Sequence, residues 1–82
     1  MAVVLIPSLL ATQAGGQGRF EVDAATLGDA LRALPVADLL FDERGELRPL
    51  VNPFVDKSLE RNLETPLRAD SEVRVVAAIA GG

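Results

Sequence analysis

The chain carries neither a thiol nor an imidazole, so no cysteine or histidine can act as nucleophile, general base or metal ligand. It ends in Gly81-Gly82, directly after the apolar run Val73-Arg74-Val75-Val76-Ala77-Ala78-Ile79-Ala80. Glycine has no Cβ and adopts most backbone angles, so a Gly-Gly end can thread a narrow groove in another protein. The chemistry expected of such a chain lies on the α-carboxylate of Gly82, with Gly81 and Ala80 as the tail that presents it. The plainer reading is a frayed end, since most termini are loosely ordered. A free α-carboxyl has a pKa of about 3.3–3.7, so near neutrality it is an anion and a poor electrophile until something activates it. No Gly-x-x-x-x-Gly-Lys-Ser/Thr loop is present, so the sequence offers no phosphate-cradling loop of that kind. Asp38 and Asp42 have no third ligand or base beside them in the sequence, and Asp42, Glu43 and Glu46 read as a solvated acidic turn.

Positioning a terminal carboxylate needs only a small body. The 82 residues fit one domain. A chain of this length buries about 60–65% of the surface its unfolded form exposes. Hydrophobic residues are 49% and charged residues 24%, the balance of a globular rather than a disordered chain. The net charge of −4, from 12 acidic and 8 basic residues, gives no basic stripe for a nucleic-acid backbone. Without cysteine there is no disulfide framework and no thiolate metal site. The opening Met-Ala-Val-Val-Leu-Ile-Pro-Ser-Leu-Leu has no basic leader, is broken at Pro7 and falls short of the ~20 apolar residues a membrane span needs. It is expected to be a buried strand, and the protein to be cytoplasmic, without a membrane.

Val3 to Leu10 is apolar on both faces and is expected to be one central strand. Ala14-Gly15-Gly16-Gln17-Gly18 supplies the turn of a hairpin, and Arg19 to Asp23 alternates as a half-buried second strand. Thr26 is an N-cap candidate with Asp29 at N3, followed by Leu27, Ala30, Leu31 and Leu34 on one helical face. Pro35 ends or bends that helix. A short helical turn is expected over 37–41, with Leu40 and Phe41 inward and Asp42-Glu43-Arg44-Gly45 as an exposed turn. Leu47 to Asp56 reads as a third strand, in which Pro49 and Pro53 place their missing donors on one side, as at a sheet edge or bulge. Lys57 to Leu67 is expected to be irregular or a short helical turn, and Val73 to Ile79 a final strand. The first and last strands would then lie central and parallel, joined by a long connection with a helix. The expected fold class is α+β, a ubiquitin-like β-grasp whose mixed sheet has one main helix packed across it. Residues 1–80 would form the β-grasp domain and 81–82 a flexible Gly-Gly tail.

Strand alternation sorts the side chains into two faces. Val51, Pro53 and Val55 oppose Leu50, Asn52 and Phe54, while Val73, Val75 and Ala77 oppose Arg74, Val76 and Ala78. If the helix covers the first set, Leu50, Phe54 and Val76 form an exposed apolar patch beside Arg74, a composition typical of partner-binding anchors. The alternative is that Leu50 and Phe54 complete a core under the 57–67 segment. Phe20 and Phe41 are expected in the core.

Ile6-Pro7-Ser8-Leu9-Leu10, Gly15-Gly16-Gln17, Thr26 to Leu31, Leu50-Val51-Asn52-Pro53-Phe54-Val55-Asp56, Asp70-Ser71-Glu72-Val73 and Ala80-Gly81-Gly82 resemble, in that order, the MoaD/ThiS family of sulfur carriers. The resemblance spans essentially the whole chain and is nearest to the actinobacterial carrier that serves a cysteine synthase. Pro53 departs from it, since the family usually has an ordinary strand residue there. The resemblance implies a carrier cycle and a protein co-substrate rather than an enzyme. A ubiquitin-activating-like enzyme, using its own ATP and magnesium, adenylates Gly82. A sulfur donor converts the adenylate to a thiocarboxylate, which delivers sulfur to an acceptor such as a cysteine synthase or a molybdopterin synthase large subunit. The pathway favoured by the resemblance is cysteine synthesis, with molybdopterin, thiamine thiazole or a secondary metabolite open. No cofactor is expected on the chain itself, which would be a monomer when free.

Two other functions stand beside this one. A ubiquitin-like modifier would join Gly82 to lysines of targets, and Lys57 is the only lysine on which chains of its own could grow, apart from the amino terminus. A β-grasp interaction module would carry an incidental Gly-Gly end.

Overall fold

The computed structural model describes residues 1–77. Its elements run β1 (Ala2–Leu5), α1 (Ser8–Gln13), β2 (Arg19–Val22), α2 (Leu27–Arg32), α3 (Ala37–Leu40), β3 (Val51–Val55), β4 (Ser58–Leu59) and β5 (Glu72–Ala77). The strands form one five-stranded mixed sheet in the order β2-β1-β5-β3-β4. β1 and β5 are central and parallel, with Leu5 opposite Arg74, and the other pairings are antiparallel. This is the expected β-grasp architecture, with helices on one side of a twisted sheet.

Alternation along each strand builds the core. Ala2 and Val4 of β1, Val22 of β2, Val51, Pro53 and Val55 of β3, and Val73 and Val75 of β5 are buried toward the helices. Leu27, Ala30, Leu31 and Leu34 close over them, and Leu40 and Phe41 fill one end. Each fully buried aliphatic side chain of this kind contributes about 1.5–3 kcal/mol of transfer free energy. Phe20 is half-buried against the same core. The Arg32 guanidinium lies 5.2 Å from the centre of the Phe41 ring, a cation–π contact on its outer side.

α2 begins as its sequence dictates. Thr26 is extended, and its hydroxyl accepts from the Asp29 amide at 3.3 Å. The next open donors of the helix start are taken by a loop, Leu27 N to Thr65 O at 2.9 Å and Gly28 N to Leu63 O at 2.8 Å. That approach is so close that a Cβ on Gly28 would sit 3.0 Å from the Leu63 carbonyl oxygen and 2.9 Å from Arg32 Nη1.

Four expectations are corrected. The strand expected over Val3 to Leu10 ends at Leu5, because Pro7 opens α1 and its carbonyl accepts the first helical bond from Ala11 at 2.9 Å. Leu10 and Ala11 are then buried by helical rather than strand spacing. The strand expected over Leu47 to Asp56 is confined to Val51–Val55, preceded by a turn in which Val51 N reaches Arg48 O at 3.0 Å. The 57–67 segment begins with β4, paired to β3 through Phe54↔Leu59 and Val55↔Ser58. Pro53 is an interior strand residue opposite Val75. Its carbonyl accepts from Glu60 at 3.0 Å, so its absent donor faces away from β5, beyond the end of the two-residue β4. Of the last expected strand, Ala78 and Ile79 lie outside the described residues, as does the expected boundary between body and tail at Ala80 and Gly81.

Candidate functional site

Among the described residues no helix or loop covers the side of the sheet opposite the helices, where Leu5 and Phe54 are half-buried and Arg74 and Val76 are exposed. One row of outward residues crosses all five strands: Arg19 of β2, Leu5 of β1, Arg74 of β5, Phe54 of β3 and Leu59 of β4. One step toward the end of β5, Val76 stands opposite Asn52 and is 46% exposed. One step back, Glu21, Val3 and Glu72 form an acidic-and-apolar row. Phe54, Lys57, Glu72, Arg74 and Val76 line a shallow depression of about 300 Å³. Arg74 Nη2 lies 3.8 Å from Glu72 Oε1 with both side chains well exposed, a solvent-screened pair of little energetic weight that leaves Arg74 available to a partner.

The structure thus brings together three of the four expected patch residues, Phe54, Arg74 and Val76. Leu50 is exposed, but it sits in the turn before β3 and does not line the depression. Phe54 is half-buried, packed in register against Leu59 rather than sealed beneath the 57–67 segment. Sequence reasoning missed Leu59 and Lys57 as part of this face. No glycine marks the turn in the sequence: Asp56 and Lys57 both take positive φ, 49° and 75°, the conformation of a two-residue hairpin that usually calls for Asn-Gly or Asp-Gly.

Two devices hold the face. Asp56 ties the hairpin to β5, its amide donating to Glu72 O at 2.8 Å and its Oδ1 accepting from Glu72 N at 2.9 Å. Arg61 lies along the outer edge of β3 and donates to the carbonyls of Val51, Leu47 and Arg48 and to Asn52 Oδ1. A guanidinium can serve several acceptors at once through its fork of donors, and it fixes the turn that carries Leu50.

No group of three or more potential metal-ligating side chains occurs among the described residues. Asp42 closes the 42–46 turn: the Glu46 and Arg44 amides donate to its Oδ1 at 3.0 and 2.9 Å. The Glu46 amide, helped by that of Arg44 and its guanidinium, holds the carboxyl below its ordinary value against a smaller opposing effect of desolvation. β5, flanked by the open face, ends its described course at Ala77. Ala80, Gly81 and Gly82, the expected reactive tail, lie outside the described residues.

Comparison with solved structures gives this arrangement a family. SAMP1 from Haloferax volcanii is 30% identical, with 99% of this chain and 98% of that one covered and a TM-score of 0.79. The chain belongs to the MoaD/ThiS family of ubiquitin-like sulfur carriers. Mycobacterium tuberculosis CysO, described as an antigen, is 26% identical over 96% of this chain and all of that one, with a TM-score of 0.84. A CysO from Amycolatopsis orientalis, solved in a BexX/CysO complex, matches over the full length of both chains at 22% identity and a TM-score of 0.81, which shows the shared fold. No protein-family model and no curated protein sequence matches the chain. The MoaD/ThiS relatives found are small carriers and modifiers, and this chain has the corresponding general role of a ubiquitin-like carrier or modifier. No helix among the described residues is long and apolar enough to cross a membrane.

Proposed function

We propose that this chain is a sulfur carrier whose terminal Gly82 carboxylate is the working group. The observation that carries the reading is the full-length likeness to CysO and SAMP1, combined with an open sheet face beside the strand that leads to Gly81-Gly82. A partner enzyme binding ATP and magnesium would seat Phe54, Arg74 and Val76 and draw the tail into its own site. A carboxylate oxygen of Gly82 attacks the α-phosphorus of ATP, and pyrophosphate leaves. Sulfide-level sulfur delivered by a donor then attacks the acyl carbon and AMP departs, leaving the thiocarboxylate and one released proton. The thiocarboxylate sulfur is a soft nucleophile, supplied to a chain that has no cysteine. The acceptor favoured is a cysteine synthase, after the CysO likeness, and a molybdopterin synthase large subunit, a thiazole synthase or a secondary-metabolite enzyme would use the same group. The free carrier is a cytoplasmic monomer in this reading.

A modifier role has its own support, since SAMP1 is a small archaeal modifier protein. It needs the same activated Gly82 but passes the acyl carbon to a lysine amine rather than to sulfur. Deletion of Gly81-Gly82 in the native cell separates the readings. The carrier predicts loss of sulfur transfer with no loss of conjugates. Loss of isopeptide-linked targets instead supports the modifier, and no change at all supports a plain interaction module.

A further inference from the structure

Pro7 leaves a vacancy in the sheet. In the parallel β1–β5 pairing Val3 N donates to Ser71 O at 3.0 Å, and Val3 and Leu5 stand opposite Glu72 and Arg74. Continuing that register places residue 7 opposite Val76, with its amide due to meet the Val75 carbonyl and its own carbonyl due to accept from the Ala77 amide. Neither bond forms. Proline has no N–H. Its carbonyl is turned into α1, where it accepts from Ala11. The β3 side of β5 does not use the two groups either. Pro53 O bonds to Glu60 and Val51 N to Arg48, so the pairs Pro53↔Val75 and Val51↔Ala77 have their backbone groups pointing apart. Among the described residues no loop or helix group replaces the missing partners. The vacancy opens on a notch of about 210 Å³ lined by Leu5, Ile6, Pro7 and the Arg74–Ala77 stretch.

We propose that this notch receives an extended segment of the enzyme that activates the terminal carboxylate, added as a short parallel strand in the place β1 vacates. One residue of that segment would donate its N–H to Val75 O and accept from Ala77 N, the two bonds that residue 7 would make if β1 continued. The occupant follows from three features. The donor and acceptor have strand spacing, which suits backbone rather than a small ligand. Arg74 and Val76 line both this notch and the Phe54 depression, so one partner covers both. In the carrier reading Gly82 is the working end and lies five residues beyond Ala77, at most about 18 Å away when extended, so a segment seated here is within reach of the centre that activates it. The inference deepens the carrier reading and rests on it.

The test uses the full chain and the activating enzyme of the same genome, followed by ATP–pyrophosphate exchange. A semisynthetic chain with an ester in place of the Val76–Ala77 amide keeps every side chain, removes the Ala77 donor and weakens only the Val76 carbonyl as an acceptor. Its expected KM is about 5–10-fold higher than that of the normal chain, with kcat unchanged, the scale of one lost hydrogen bond. In the normal chain the Ala77 amide should exchange with solvent at least tenfold more slowly when the enzyme is bound. An unchanged KM for the ester chain, or unchanged Ala77 exchange in the complex, overturns the strand-addition proposal while leaving the carrier intact. If the normal chain itself supports no exchange of pyrophosphate, the carrier reading fails, and this inference with it.

Discussion

Phe54 and Arg74 are direct register partners across β3 and β5, and both face the side of the sheet that no helix covers. An aromatic beside a guanidinium, over a depression that also includes Val76, is the composition of a binding anchor. The pairing is fixed by hydrogen bonds to backbone groups on both flanks: the Asp56–Glu72 bonds at one end of the ladder and the Arg61 fork at the other.

Phe54→Ala is therefore expected to weaken capture by the activating enzyme by about tenfold or more, the effect of truncating an interface anchor. The variant should still melt in one cooperative transition, because Phe54 is only half-buried. Thermal unfolding followed by circular dichroism, alongside the KM for the carrier, checks both parts. Loss of cooperative melting would show that the ring is core.

Gly28→Ala tests the α2 seat. The added methyl would meet the Leu63 carbonyl at 3.0 Å and Leu63 Cβ at 3.1 Å, and the backbone there is held by the Gly28 N–Leu63 O bond. Overpacking of this kind costs about 1–3 kcal/mol. For a domain of this size that is a fall of about 4–8 °C in Tm per kcal/mol. An unchanged or higher Tm would mean that the 62–66 loop yields freely.

Arg61→Lys is expected to fall short of the native residue almost as far as Arg61→Ala does. A lysine ammonium cannot match a planar fork that spans carbonyls of Leu47, Arg48 and Val51 together with Asn52 Oδ1. The readout is faster amide exchange over 47–52 in both variants. Full protection in the lysine variant would assign Arg61 a simple charge role.

Asp42 gives a pH dependence with a definite sign. Its folded pKa lies below its unfolded value, so its contribution is complete above about pH 4 and fades as pH falls through the folded value. The difference in urea midpoint between the native chain and Asp42→Asn should accordingly shrink on going from about pH 5 to about pH 2. A difference that stays constant with pH would remove the charged turn from the account.

Much of this architecture is legible in the residues. Thr26 and Asp29 announce the start of α2, strand alternation separates Val51, Pro53 and Val55 from Phe54, and the parallel β1–β5 core follows from the order of elements. What was not legible has physical causes. The run from Val3 to Leu10 is apolar throughout, so strand and helix spacing bury the same residue types, and only Pro7 marks the break. β4 is two exposed residues with no apolar period of its own. Arg61 acts mainly on backbone carbonyls, which leave no trace in side-chain pattern. The Ala80-Gly81-Gly82 tail is read from sequence, and its role belongs to the proposal.

The central claim is that Gly82 carries sulfur, and thiol alkylation tests it most directly. Protein isolated from its native cell is treated with iodoacetamide and digested, and the fragment containing Gly82 is examined by mass spectrometry. Because the chain has no cysteine, a thiocarboxylate is the thiol-like group available, and alkylation distinguishes it from oxidation of Met1, which adds almost the same mass as an oxygen-to-sulfur exchange. The account predicts a carbamidomethyl group on the carboxyl-terminal fragment that is absent when the activating enzyme is deleted. A fragment that is never labelled, recovered instead in isopeptide linkage to other proteins, would contradict it.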